Sequence, residues 1–144
     1  MFKHIIVPTD GTDVGSRAVQ QGLQLARANG AKLTILTVLR PLQEFAIAHE
    51  MVVDMRTNQP RQPDDHQRAD NALEDLVRAS GVDCTHVEAE SFHLSEAVRQ
   101  MAIAQDCDLI IMPAHERYGL LGRAVDSETV KLLSKSRLPV LVLH

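Results

Sequence analysis

A chain of 144 residues, 44% apolar, 24% charged and only 3% aromatic, has the size and balance of one globular domain with an aliphatic core. The net charge of −4, with no undiluted basic stripe, argues against a nucleic-acid surface, which must neutralise phosphates. No segment approaches the roughly 18 apolar residues of a membrane span, and MFKHIIVPTD has too short an apolar run for a signal peptide.

Lys3–Pro8 (KHIIVP) is a short apolar run ending at a turn and predicts a buried strand. Val14, Ala18, Gly22, Leu25 and Ala26 follow at helical spacing, and Gly30 stands where a left-handed C-terminal residue closes a helix. Lys32–Leu39 (KLTILTVL) predicts a second strand, so the order strand, helix, strand implies a right-handed parallel crossover. Pro41, Pro60 and Pro63 interrupt residues 40–63, where Phe45, Met51, Val52 and Met55 are scattered. One short helix fits there, and the segment reads either as a surface excursion or as a flap over a cleft.

Ala69, Ala72, Leu73, Leu76 and Val77 restore helical periodicity, and Gly81 ends it. Val82–Ala89 (VDCTHVEA) is a polar strand suited to a sheet edge. Leu94, Ala97, Val98, Met101 and Ala102 mark the clearest amphipathic helix. Asp108–Met112 (DLIIM) is apolar at nearly every position, as an inner strand is. A helix over about Ser127–Ser136 and a strand over Pro139–Leu143 (PVLVL) complete the chain. The order predicts a single domain over residues 1–144, a three-layer α/β fold with a doubly wound, five-stranded parallel sheet. If the two halves wind in opposite directions, the first and fourth strands are neighbours. Ligands then bind at their carboxyl ends, between the Thr9–Thr12 and Pro113–Arg123 loops.

The opening HIIVPTDGT with Ser16 and Ala18, the ILTV of the second strand, SEAVRQMA before DLIIM, the HERYGLLGR loop and the closing RLPVLVL together resemble the universal stress protein family over the whole chain. No single piece is specific; their order and spacing are. The resemblance implies sheet order 3-2-1-4-5 and an adenine-nucleotide alpha-hydrolase-like, UspA-like fold. Nucleotide-binding members are similar to one another in a G-x2-G-x9-G-(S/T) motif directly after the fourth strand. Its glycines let backbone N–H groups approach a triphosphate, and its last pair opens a helix whose N-terminus attracts anions.

Here the spacing is kept but the three glycine slots hold Pro113, Glu116 and Asp126; only Ser127 matches. Pro113 removes a backbone donor, and a side chain at a left-handed position costs roughly 1–2 kcal/mol. Each carboxylate, at an effective dielectric of about 20 and about 5 Å, repels a unit of phosphate charge by roughly 3 kcal/mol. A micromolar ligand has only about 8 kcal/mol to lose. Either Asp126 or Ser127 can cap the last helix, and the Asp126 carboxylate is expected to occupy the place of a phosphate. Other parts of the family's site match: Asp10, preceded by Pro8 and Thr9, stands for the acid near ribose, phosphate and metal. Val38 stands for the residue whose backbone meets adenine. Asp10 also reads simply as a turn residue, and Val38 as core. The residual cleft is completed by Met112 at the strand's end, His115 at a position where the family commonly keeps His, and Arg117, which with Arg123 remains available to an anion.

No positive signal for catalysis emerges. Among the seven histidines no two stand at i, i+4 on one helix, and no Cys–His cluster has zinc spacing. Gly11–Ser16 (GTDVGS) lacks the Lys of a P-loop, and no G-x-S-x-G is present. Cys84 and Cys107 lack a paired spacing and read as reduced thiols of a cytoplasmic protein. Val140, Leu141, Val142 and Leu143 form an apolar edge strand that needs cover. Helices could supply it, but the family commonly pairs this strand across a two-fold axis, which implies a homodimer. The expected function is a non-catalytic stress-response or regulatory homodimer acting through a protein partner or a small ligand, with no cofactor. The alternative is an ATP/AMP-binding member, with Mg and slow ATPase activity, that uses a rearranged 113–127 loop.

Overall fold

The computed structural model of the protein describes residues 1–9, 13–39, 63–114, 117–119, 122–124 and 127–143. In chain order the elements are β1 (His4–Thr9), α1 (Asp13–Asn29), β2 (Lys32–Leu39), α2 (Pro63–Ser80), β3 (Cys84–Glu90), α3 (Leu94–Ala104), β4 (Leu109–Pro113), β5 (Arg117–Gly119), β6 (Gly122–Ala124), α4 (Ser127–Lys135) and β7 (Val140–Leu143). Five strands form one parallel sheet in the order β3-β2-β1-β4-β7, which is the expected 3-2-1-4-5 winding. The polar strand is at one edge and the short apolar C-terminal strand at the other. Within the loop after β4, Arg117 pairs with Ala124 and Gly119 with Gly122 in a small antiparallel ribbon that the sequence reading did not anticipate. The 40–63 reading falls almost wholly outside the described residues; only Pro63, which opens α2, lies within them.

Period-two alternation in the strands builds two cores, one on each face of the sheet. Ile5, Val7, Leu33, Ile35, Leu109 and Ile111 face α1, whose Ala18, Val19, Leu23 and Ala26 pack against them. Ile6, Leu36, Ile110 and Met112 face the other way, onto Val98 and Ala102 of α3 and Leu132 of α4. Gly22 allows the close approach of α1, because a Cβ there would lie 2.8 Å from the Val7 Cγ2. Thr34, fully buried, shares a hydrogen bond with the His4 Nε2 at 2.8 Å, so its hydroxyl is satisfied within the sheet.

The helix ends follow local rules. Gly30 and Gly81 have φ of 63° and 67°, the left-handed geometry their positions required. α3 ends the same way without glycine: Asp106 has φ 52°, and Cys107 N donates back to Ala102 O at 2.8 Å. Two residues later the Asp108 carboxylate accepts from Lys3 N at 2.8 Å and His4 N at 3.0 Å, tying the start of β1 to the start of β4.

Candidate functional site

The chain winds outward in both directions from β1 and β4, so their carboxyl ends form the point where strand order reverses. Here the two strands are paired over only two positions, Ile5↔Leu109 and Ile6↔Ile110. By contrast β1 pairs with β2 over six positions and β4 with β7 over four. Beyond Ile6 and Ile110 lie Val7–Thr9 on one side and Ile111–Pro113 on the other, leading into the two loops expected to form the cleft.

Pro8, Thr9, Met112 and Pro113 are brought together at these adjacent strand ends. Pro8 and Pro113 are buried and Thr9 is half-buried. The Met112 side chain is 1% exposed and belongs to the core under α3 and α4. Val38 lies one strand away, just beyond the Thr9↔Thr37 pair, and packs at the margin of the same core. Ser127 is exposed and opens α4. Arg117 begins the β5–β6 ribbon, as Arg123 sits within its return strand. Asp10, His115, Glu116 and Asp126 lie outside the described residues, and the phosphate-site reading of Asp126 with them.

A residue the sequence reading did not single out shapes the helix at the back of this site. Glu128, in the first turn of α4, accepts two hydrogen bonds at its Oε2, from the Ser95 N–H and the Ser95 hydroxyl, both at 2.9 Å. Its Oε1 accepts from Lys131 Nζ at 2.8 Å. The N-cap of α3, His93, makes no side-chain capping bond, so Glu128 supplies from a neighbouring helix what the cap omits. Burial pushes the Glu128 carboxyl up, but the bonds from Lys131 and Ser95 outweigh it and hold the group at about 2. The first-turn acid of α4 is thereby committed to α3. Ser95 and Glu128 are 33 residues apart, and no local pattern signals their pairing.

Burial and the Asp83 carboxylate push the Cys84 thiol up to about 11. Burial, with Asp108 and Asp106, pushes Cys107 to about 12. Neither is a thiolate near neutrality, so neither has the form a nucleophile requires. Among the described residues no group of three or more His, Cys, Asp or Glu is placed to hold a metal ion. A shallow hollow of about 180 Å³ lies between the end of β3 and α3, lined by Ala89, Ala97, Met101 and Ala104 among others, on the far side of β1 from β4.

Comparison with known proteins agrees with this architecture. The family model described as "Universal stress protein family" matches residues 1–144. A Thermus aquaticus protein, "Universal stress protein in QAH/OAS sulfhydrylase 3'region", is 26% identical over 151 aligned positions, covering 100% of both chains. A solved universal stress protein in complex with cAMP superposes with a TM-score of 0.65 at 23% identity, over 99% of this chain and 97% of that one. The universal stress protein of Archaeoglobus fulgidus in complex with dAMP gives 0.63 at 15% identity, over 99% and 98%. At these identities the two structures establish a shared fold.

Proposed function

The chain belongs to the universal stress protein family, and from that premise we propose that it is a non-catalytic regulatory protein whose ligand cleft opens between the carboxyl ends of β1 and β4. The observation that carries this reading is Pro113. It occupies the first glycine slot of the family's phosphate motif, sits buried within β4, and pairs there with Leu143. A proline at that slot cannot present an amide to a phosphate. The glycine loop of ATP-binding relatives is thus lost at its first position. The protonated thiols of Cys84 and Cys107 add no nucleophile.

A homodimer through β7 is part of this proposal. Among the described residues β7 is paired only with β4, and its Leu141 is 42% exposed, an apolar edge of the kind that a second strand covers. Two free cysteines suit a reducing, cytoplasmic setting. The occupant of the cleft is a small ligand, and the output passes to a protein partner.

A second reading, an adenine mononucleotide in the cleft, is favoured by the cAMP and dAMP bound to two proteins of the same fold. Slow ATP hydrolysis with Mg belongs to this reading. One experiment separates the two. The purified protein is denatured and the released small molecules are identified by mass spectrometry, alongside a thermal-shift titration with ATP and magnesium. Co-purified ATP, or a saturable shift with measurable hydrolysis, overturns the first reading. An empty cleft with no shift overturns the ATPase.

A further inference from the structure

Asn29 is the last residue of α1, and Gly30 follows it. Of Asn29, Asn58 and Asn71, only Asn29 precedes a glycine. The side-chain amide of an asparagine is open to attack by the backbone nitrogen of the next residue, and glycine shields that nitrogen least because it has no Cβ. Gly30 is exposed, and a Cβ built on it would meet nothing within 4 Å among the described residues.

The fold holds both reacting groups. The Asn29 Nδ2 donates to the Leu25 carbonyl, one turn back along α1, at 2.9 Å. The Asn29 Oδ1 accepts from the Met1 terminal ammonium at 3.1 Å. These partners fix the orientation of the carboxamide, because a carbonyl only accepts and an ammonium only donates. Gly30 N is engaged as well, donating to Arg27 O at 3.3 Å. Attack requires the carboxamide to leave Leu25 and Met1 and swing onto Gly30, and Gly30 to leave Arg27. At the usual net worth of a hydrogen bond, each release inside the helix end slows the reaction by about fivefold. The exposed Met1 bond contributes a smaller share, about threefold.

We propose that Asn29–Gly30 is a self-modification site guarded by the chain's own amino terminus and the last turn of α1. Gly30 N gives up its proton and bonds to the Asn29 Cγ. The Cγ–Nδ2 bond breaks, and Nδ2 leaves as ammonia with that proton. Water then opens the five-membered imide. Opening at Cγ leaves an aspartyl residue; opening at the backbone carbonyl routes the chain through Cγ and adds one methylene to the backbone. Here the added length falls between α1 and β2. The turn at Gly30 carries the bond from Ala31 N to Ala26 O at 2.8 Å, and the next residue, Lys32, donates to Lys3 O at 2.9 Å. An isoaspartyl link therefore puts the end of α1 out of step with β2, at the amino end of the sheet.

The test follows Asn29 in the full chain at pH 7, folded and in urea, by mass spectrometry of proteolytic peptides, with methylation by an isoaspartyl methyltransferase as a second readout. In urea, deamidation is expected at Asn29 ahead of Asn58 and Asn71. In the folded chain it is expected to be at least about tenfold slower at Asn29. A chain that starts at Phe2, released from a cleavable fusion and checked for folding by circular dichroism, lacks the Met1 amine. Its folded rate at Asn29 is expected to rise about threefold, with Asn71 unchanged. Should that chain fail to fold, acetylation of the terminal amine in the intact protein makes the same comparison. A folded rate at Asn29 equal to the rate in urea overturns the proposal. So does a folded rate that loss of the amine leaves unchanged, or modification in urea that spares Asn29.

Discussion

Glu128 on α4 grips Ser95 at the start of α3 through both the backbone N–H and the side-chain hydroxyl, each at 2.9 Å. One carboxylate joins the amino ends of two helices and pairs a first-turn backbone donor of α3.

This grip is pH-dependent in a defined sense. The folded carboxyl titrates at about 2 against an ordinary value of 4.5. Its contribution is therefore complete above about pH 4.5 and is lost as pH falls toward 2. The side chain is 24% exposed, so about 2 kcal/mol is the expected cost of Glu128→Ala in urea unfolding at pH 7. Glu128→Gln, which keeps an acceptor for Ser95 but loses the charge, should cost about half as much. A deficit that stayed constant from pH 7 to pH 2 would show that the carboxylate charge contributes nothing.

Asp106 takes a left-handed conformation, φ 52°, that glycine adopts without steric cost. Asp106→Gly is expected to raise stability by about 0.5–1 kcal/mol, and Asp106→Ala to lower it by a similar amount. Chemical denaturation of both variants measures the pair, and the opposite signs are the diagnostic feature.

The two thiols should be sluggish. With Cys107 at about 12 and Cys84 at about 11, less than about one part in a hundred is thiolate at pH 8. Labelling by a disulfide reagent is expected to run at least about a hundredfold slower than for a free cysteine, and to accelerate in denaturant. Rapid labelling of either cysteine in the folded chain would contradict this burial.

Leu141 offers the direct test of the dimer. A Leu141→Lys change places a charge on the β7 edge and should shift the sedimentation coefficient from dimer to monomer at micromolar concentration, with little change in the far-ultraviolet spectrum. If the unaltered chain already sediments as a monomer, β7 is not the interface.

Much of the framework was legible because the residues obey simple periodicities. Ile5, Val7 and Ile6 alternate between the two cores, and Gly30 and Gly81 mark helix ends that no other residue type announces as clearly. The polarity of Val82–Ala89 points to an edge strand, and β3 is one, although it runs from Cys84 to Glu90. The end of α3 carried no such marker, because Asp106 fills a position where glycine is the usual sign. The β5–β6 ribbon is not legible in the sequence for a different reason. RYG and GRA are three residues each and contain glycine, too short and too weak in strand preference to stand out. For the site, Pro113 follows from the motif spacing and Pro8 and Thr9 from their place before Asp10 in the family resemblance; the three stand at adjacent strand ends. The Glu128–Ser95 contact could not be read, since it depends on how α3 and α4 meet in space.

The Asp108 carboxylate gives the sheet a direction. It fastens Lys3 and His4 at the amino end of the β1–β4 seam, while the register lapses after Ile6 and Ile110. Stiffness therefore falls off along the seam, from a clamped end to a compliant one, and amide exchange should quicken in the same order.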